Sequence, residues 1–245
     1  MHAEPADQRR LLDLQQADTS LTQLTHRRTH LPEEAEIAEL RGRVTGLTDT
    51  LAGHQAGASD LERDISRVER EIEQVRARAD KDRARQTSSA VGAKELEGLG
   101  HELETLARRQ SELEDQELEL MERRETELSA AAGQETGLAE AKTALAEAER
   151  RKAEALGQID LELAAQNRAR EEISASVPAE LLGLYDKIRR NQPIAAALLR
   201  RRRCESCRLE QSGGELAALR AAEDTDVVRC DNCGAILIRT EDSGL

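Results

Sequence analysis

Residues 37–79 read IAELRGRVTGLTDTLAGHQAGASDLERDISRVEREIEQVRARA. Thirteen positions in this stretch recur at alternating steps of three and four residues, and all but one of them are apolar. They are Ile37, Leu40, Val44, Leu47, Leu51, His54, Ala58, Leu61, Ile65, Val68, Ile72, Val75 and Ala79. A heptad seam of this length is typical of a coiled-coil helix. The stretch therefore decides the fold class, which we predict to be mainly α.

His54 is the one polar residue on this seam. No Cys or His lies at a matching helical spacing, so we interpret it as a polar interruption that fixes the register rather than as a metal ligand. Four glycines lie near it, at positions 42, 46, 53 and 57. Each glycine weakens a helix by about 1 kcal/mol relative to alanine, which predicts the softest part of the coiled coil here.

A second helical arm follows a turn that we predict at about residues 86–94, where charge disappears over QTSSAVGA. Apolar periodicity then restarts at Leu96, Leu99, Leu103, Leu106, Leu113 and Leu120. Two matched arms in one chain favour a long antiparallel coiled-coil hairpin over a parallel dimer of two chains. We expect this hairpin to offer its long surface to a protein partner.

The register of the hairpin follows from a bend centred near residue 90, which places residue i opposite about 180 minus i. Arg109 then faces Glu71, while Arg63 and Arg67 face the acidic stretch 112–117. Exposed ion pairs contribute only about 0.2–1 kcal/mol each. We therefore expect charge to select the register and the apolar seam to stabilise it.

Two prolines divide the rest of the chain. Pro32 predicts a kink at about 30–33 in the first arm, because proline lacks the donor N–H and clashes with the preceding turn. Pro178 predicts the start of a short amphipathic helix. We accordingly assign residues 1–176 to the hairpin, and residues 177–245 to a docking helix followed by a small β domain.

All four cysteines form two CxxC pairs, Cys204-Glu-Ser-Cys207 and Cys230-Asp-Asn-Cys233, with 22 residues between them. Two such knuckles supply the four thiolates of a closed tetrahedral zinc site. No coordination position is left to activate water, so we predict one structural Zn²⁺ per chain within a C4 zinc ribbon.

Other uses of the cysteines need different surroundings. Paired disulfides suit secreted proteins, yet the chain opens without a basic-then-apolar signal segment, so we expect a cytoplasmic protein. A thioredoxin-type CxxC follows a strand in a βαβ pattern, and no such pattern is evident. A thiol switch that ejects zinc on oxidation stays open as a third, less favoured hypothesis.

Composition limits the function classes. Charged residues make up 35% of the chain, and Tyr185 is the sole aromatic residue. The net charge of −13 is the sum of −14 in residues 1–180 and +1 in residues 181–245. No apolar run is long enough for a membrane span. No Ser/His/Asp set, phosphate-binding glycine loop or cleft of paired carboxylates can be assembled, so we predict a non-enzymatic protein without a small-molecule substrate.

A basic cluster approaches the first knuckle, with one acidic residue, Glu205, among its members. The eight basic residues are Lys187, Arg189, Arg190, Arg200, Arg201, Arg202, Arg203 and Arg208. Because guanidinium groups suit phosphate recognition, nucleic acid is a possible partner of the ribbon. Alternatively, Arg200 to Arg203 counter the charge of a zinc–thiolate centre and pair with the acidic hairpin. The lack of aromatic residues removes a base-stacking platform.

Three sequence features carry a family resemblance. Lys94-Glu95 opens the second arm, an LEDxxLxLME-like segment runs from Leu113 to Glu122, and the second knuckle reads CDNCG at residues 230–234. With both knuckles in place, the chain resembles the C4-type zinc-ribbon coiled-coil family. Ser206 and Ala235 depart from residues common in that family.

The resemblance implies a non-enzymatic cytoplasmic protein; some relatives are linked to an enhancer-dependent sigma factor or to messenger RNA. Our leading hypothesis is an adaptor, with the ribbon contacting nucleic acid or a transcription or translation component and the coiled coil contacting a protein. The alternative is a structural spacer or oligomerising scaffold in which the zinc ribbon is purely structural.

Overall fold

The heptad seam of the first arm lies on one long helix, α2 (Glu33–Gln86), and none of its thirteen positions is exposed. A computed structural model describes residues 1–88 and 92–245. Helix α3 (Ala93–Ala175) returns antiparallel to α2. The predicted antiparallel coiled-coil hairpin is therefore confirmed, while the predicted centre of the bend near residue 90 lies outside the described residues.

The first arm consists of two helices, because α1 (Pro5–Thr29) ends just before Pro32. Proline also occupies the first turn of α1, where its missing N–H costs nothing. Arg28 Nε lies 2.8 Å from Asp160 Oδ1, so α1 pairs with the last third of α3.

Two compact units make up the structure. One consists of Met1–Glu34 with Arg150–Leu245, and the other is Ala35–Glu149. The proposed domain division at residue 177 stays a prediction. Among residues 1–88 and 92–245, no helix combines the length and the apolarity needed to cross a membrane.

The unit Ala35–Glu149 is held by its seam. A buried cluster joins α2 to α3 and consists of Leu61, Ile65, Val68, Ile72, Leu113 and Leu120. Full burial of such a side chain contributes about 1.5–3 kcal/mol, several times more than an exposed ion pair. The apolar seam therefore dominates the stability of this unit.

Ion pairs on the two flanks of the seam show the actual register. Arg109 Nη2 lies 3.3 Å from Glu71 Oε2, as predicted. On the other flank, Arg76 pairs with Glu114 at 2.6 Å. The predicted register places residue 104 opposite Arg76, so the observed partner lies ten residues further along α3. The seam lies midway between the two flanks, so its register is shifted by about five residues from the prediction.

The predicted pairing of Arg63 and Arg67 with the second arm is wrong. Arg67 Nη2 lies 3.0 Å from Asp64 Oδ1, and Arg63 pairs with Asp60, in each case three residues earlier on α2. Side chains three residues apart on a helix are direct neighbours. The near partner was therefore available without reaching across to α3.

The C-terminal β domain is a mixed sheet with strand order β2-β1-β4-β3. Its strands are β1 (Ala196–Arg200), β2 (Arg203–Cys204), β3 (Val228–Arg229) and β4 (Ile236–Ile238). The central pair, β1 and β4, is parallel, and the outer pairs are antiparallel. Helix α5 (Gly213–Ala221) lies between the knuckles in sequence and starts with a capping box formed by Ser212 and Glu215.

Helix α4 (Ala179–Arg189) docks this sheet against α1 within the same unit. The shared core includes Leu11, Leu14, Leu181, Tyr185, Ile236 and Ile238. The predicted docking role of this helix matches that packing.

Polar contacts reinforce the docking. Gln15 Oε1 on α1 accepts a hydrogen bond of 2.6 Å from the Ala195 N–H at the entry to β1. Asp18 accepts from Arg170 Nε at 2.6 Å and from the Tyr185 hydroxyl at 2.7 Å. Burial, and then the hydrogen bond to Asp18, raise the pKa of Tyr185, so its hydroxyl stays protonated.

Candidate metal centre and arginine cleft

Both knuckles use the same tight turn. The Arg208 N–H donates to Cys204 O, and the Gly234 N–H donates to Cys230 O, each at 2.7 Å. The residue after the second cysteine of each knuckle is left-handed, with φ of 64° at Arg208 and 76° at Gly234. Glycine adopts this left-handed conformation at no steric cost, whereas arginine adopts it only at a steric cost from its Cβ.

The four cysteine sulfurs converge on one point. Cys204 Sγ lies 3.8 Å from Cys233 Sγ, and Cys207 Sγ lies 3.9 Å from Cys230 Sγ. All four sulfurs lie within 4.8 Å of one another. A tetrahedron with Zn–S bonds of about 2.3 Å has edges of about 3.8 Å, so the cluster fits a four-cysteine zinc site.

Burial and hydrogen bonds act in opposite directions on the thiols. Burial raises the pKa of Cys204 to about 12 and also raises that of Cys207. Burial opposes ionisation of Cys230 too, yet the N–H groups of Cys233 and Asn232 and the Gln211 amide lower its pKa overall. Ionisation of Cys204 and Cys207 near neutral pH therefore requires the charge of a bound metal.

Gln211 is a residue that sequence reasoning missed. Its side chain is buried, and Nε2 donates to Cys230 Sγ at 3.6 Å. A lone glutamine in a loop gives no sequence signal, because its approach to Cys230 depends on how residues 209–211 pair back against β2 after the first knuckle. Hydrogen bonds of this kind, made to a metal ligand by a neighbouring side chain, orient the ligand and tune the properties of the metal.

An open cleft of about 900 Å³ lies beside the first knuckle, and we call it the arginine cleft. It is lined by Arg200, Arg201, Arg203, Cys204, Glu205, Arg208 and Glu210. Arg200 and Arg203 lie 3.8 and 3.6 Å from Glu205 and Glu210, respectively. Among the described residues, the guanidinium groups of Arg201 and Arg208 have no such partner.

Arginine also occupies the two-residue turn between β1 and β2. Arg201 and Arg202 have φ of 47° and 65°, and Arg200 pairs with Arg203 across the hairpin. Positive φ at both central residues defines a type I′ turn, for which Asn-Gly is the favoured sequence. In the part of the chain that the structure describes, every non-glycine residue with positive φ is one of Arg201, Arg202 and Arg208.

The C-terminal segment pins this turn. The Arg201 and Arg202 N–H groups donate to Asp242 O and Ser243 O, each at 2.8 Å. Ser243 is 1% exposed, and its hydroxyl donates to Leu199 O at 2.9 Å. The turn backbone is therefore rigid, while Arg201 stays on the surface.

The eight predicted basic residues fall into two groups. Arg200, Arg201, Arg203 and Arg208 meet in the arginine cleft, with Arg202 in the adjoining turn. Lys187, Arg189 and Arg190 belong to α4 and its C-terminal cap, and they do not line the cleft. Arg189 instead contacts α1, donating to Thr22 Oγ1 at 2.8 Å and lying 3.8 Å from Asp18.

Comparisons with known proteins agree with this architecture. The model of a CT398-like coiled coil hairpin domain matches residues 14–193, and that of a C4-type zinc ribbon domain matches residues 203–237. An uncharacterized protein of Mycobacterium tuberculosis, Rv2229c, is 41% identical over 98% of both chains.

Solved structures show the same similarity. A Mycobacterium smegmatis protein is 39% identical with a TM-score of 0.84, over 98% of this chain and 100% of the other. CT398 from Chlamydia trachomatis shares the fold at 17% identity, with a TM-score of 0.66 over 95% and 97% of the two chains. The chain therefore belongs to the CT398-like coiled-coil hairpin family, and it carries a C4-type zinc ribbon domain.

Proposed function

We propose that this protein is a non-enzymatic adaptor in which one structural Zn²⁺, bound by Cys204, Cys207, Cys230 and Cys233, holds the ribbon rigid. The ribbon binds nucleic acid through the arginine cleft, and the coiled coil binds a protein partner. The zinc supplies a fixed tetrahedral cross-link and no chemistry, because four thiolates leave no position for a substrate.

The observation that carries the nucleic-acid part is the backbone strain of the arginines. A left-handed non-glycine residue costs about 1–2 kcal/mol, and three such residues, all arginine, lie in and beside one cleft. Asparagine or glycine would fold this turn at lower cost. Strained residues cluster at binding sites, so we attribute the arginines to recognition of an anionic partner.

The alternative role of neutralising the metal centre has less support. Gln211 is the side chain that donates to a cysteine sulfur, and among the described residues no guanidinium makes such a contact. Arg201 and Arg208 point their charge at the cleft without an acidic partner. Because the ribbon has no aromatic residues for base stacking, nucleic-acid binding depends on contacts to phosphates, and the affinity falls steeply as the salt concentration rises.

Fluorescence anisotropy with labelled single-stranded and duplex RNA, at two salt concentrations, tests this function. The variant Arg201→Asn/Arg202→Gly removes two charges while keeping a favoured turn sequence. We expect it to lose about tenfold in affinity at low salt and to show a shallower salt dependence.

The matched control is Lys187→Gln/Arg190→Gln, which removes two exposed charges outside the cleft. Equal losses in both double variants would show that only net charge matters. No binding of either RNA by the zinc-loaded native protein at low salt would refute the nucleic-acid function.

A further inference from the structure

One flank of the hairpin breaks the charge pattern that the rest of it follows. Arg76 pairs with Glu114 at 2.6 Å, and Arg41 pairs with Glu149 at 2.6 Å, on the same flank. Glu114 and Glu149 are five heptads apart, so they mark one face of α3. The layers between these two ion pairs are filled differently.

Of the four heptad positions between these two ion pairs, the first two are apolar and the last two are Glu135 and Lys142. On the same flank, Glu62 of α2 pairs with Arg124 at 2.6 Å. Met121 and Leu128 lie one and two heptads after Glu114, and Leu118 lies one turn from both Glu114 and Met121. These three side chains are 47%, 46% and 59% exposed, respectively. They form a stripe over three turns of one helix, which we call the α3 stripe.

Three of the four seam positions beside the stripe are polar, and the fourth, Leu120, is buried and apolar. Glu117, Arg124 and Glu127 occupy seam positions of α3 and are partly buried, while the apolar residues stand one step outside. A segment optimised only for hairpin stability would place these two sets the other way round. The inversion indicates that a second molecule covers the stripe.

The charges around the stripe determine what that molecule is. Glu69 lies one heptad before Arg76, which puts Met121 where a cation would complete the flank pattern. Glu69, Glu122 and Glu125 have no ion pair among the residues that the structure describes. A second copy of this acidic face would repel the first, whereas lysine or arginine side chains would satisfy all three carboxylates.

We infer that the α3 stripe is the docking surface for a basic amphipathic helix of a protein partner. This inference deepens the proposed adaptor function and rests on its protein-binding part. Apolar residues spaced by three and four on the partner helix contact Leu118, Met121 and Leu128, and flanking cations contact Glu69, Glu122 and Glu125.

The test uses the full zinc-loaded chain and a fluorescein-labelled synthetic helical peptide with one leucine face and one lysine face. The variant Leu118→Gln/Met121→Gln/Leu128→Gln keeps good helix formers, so its helical circular dichroism should be unchanged. We expect this variant to bind the peptide about tenfold more weakly or worse than the native chain. Leu161→Gln, at a side chain 68% exposed elsewhere on α3, should bind like the native chain.

Two further peptides and one hydrodynamic measurement complete the test. A peptide with glutamate in place of lysine should not bind, and one with scattered leucines should bind as weakly as the triple variant does. Equal binding of the clustered and scattered peptides would overturn the inference. So would sedimentation showing that the native chain self-associates and the triple variant does not, since a second copy would then cover the stripe.

The outcome of the peptide test on the α3 stripe is independent of the outcome of the RNA test on the ribbon. The triple variant should retain the RNA affinity of the native protein, and Arg201→Asn/Arg202→Gly should retain peptide binding. Failure of the peptide test with intact RNA binding would refute the α3 stripe alone.

Discussion

His54 Nδ1 lies 2.7 Å from Glu127 Oε2, so a polar pair spans the coiled-coil seam at mid-arm. Both side chains are about a third exposed, at 30% and 36%. Replacing such a pair with well-packed apolar residues is often neutral or stabilising, whereas removing one partner leaves the other unpaired. His54→Leu/Glu127→Leu should therefore be at least as stable as the native protein in urea unfolding, and His54→Leu alone should be about 1 kcal/mol less stable. A double variant that is less stable than the single one would contradict this.

The Asp18 carboxylate should contribute far more to stability than the Tyr185 hydroxyl, from which it accepts a hydrogen bond. Asp18→Ala leaves Arg170 and Tyr185 without their shared acceptor and should cost about 3–5 kcal/mol. Tyr185→Phe removes one hydrogen bond and should cost about 1 kcal/mol. Urea unfolding of both variants near neutral pH checks this ranking, and equal costs would refute it.

Tyr185 also predicts a dependence on alkaline pH. Its pKa is raised in the folded state by burial and by Asp18, while tyrosine in an unfolded chain ionises near pH 10. The stabilisation is therefore complete below about pH 10 and is lost as the pH rises above it. Unfolding titrations from pH 8 to pH 11 should show a steeper loss for the native protein than for Tyr185→Phe.

The arginine turn should be less stable than a neutral one. Arg201→Asn/Arg202→Gly relieves two left-handed arginines and should stabilise the ribbon by about 1–2 kcal/mol. Thermal melting with zinc present measures this. The same variant is expected to bind RNA more weakly, so a loss of both stability and binding would indicate that the turn itself has been disrupted.

Zinc removal should unfold the ribbon selectively. The core around the cysteines contains Ala197, Leu199, Leu216, Leu219 and Leu237, and no aromatic residue. Such a small core rarely folds without a cross-link or metal. A strong chelator, or Cys230→Ser, should remove the dispersed amide NMR signals of the two knuckles and α5, residues 203–234, while most helical circular dichroism remains. Retention of those signals in the metal-free protein would show that the metal is dispensable.

Replacing glycine with alanine should have opposite effects on stability on α2 and in the second knuckle. Outside the neighbouring residues and the local helix backbone, no described atom lies within 4 Å of an added Cβ at Gly46 or Gly53, so each substitution should stabilise the hairpin by about 1 kcal/mol. At Gly234 the added Cβ would lie 3.0 Å from Arg229 Nη2, and φ is 76°. Gly234→Ala should therefore destabilise the ribbon, and thermal melting of the three variants compares them directly.

The sequence allowed the first arm to be predicted better than the second. On α2 the seam is apolar almost throughout, so its period of three and four residues is visible. On α3 the seam includes Gln110, Glu117, Arg124 and Glu127, and apolar residues such as Leu118 lie outside it. Periodicity then misleads, because side-chain chemistry no longer reports which face is buried.

The convergence of the four cysteines was predictable, because CxxC spacing is a local constraint. The arginine cleft was predicted only as a charge cluster, since Arg189 contacts α1 and Arg203 lies on a strand edge. Neither outcome follows from spacing: the first depends on the packing of α4 against α1, and the second on the antiparallel pairing of β2 with β1.

The unit formed by Met1–Glu34 and Arg150–Leu245 is interrupted by the 115 residues of the other unit. On a ribosome adding about 5–20 residues per second, α1 therefore waits roughly 6–23 s before synthesis of the rest of its unit begins. Leu11 and Leu14, both completely buried in the finished structure, are uncovered throughout that interval. The nascent chain thus presents an apolar helix that a chaperone can bind, and the last strands of the ribbon end its exposure.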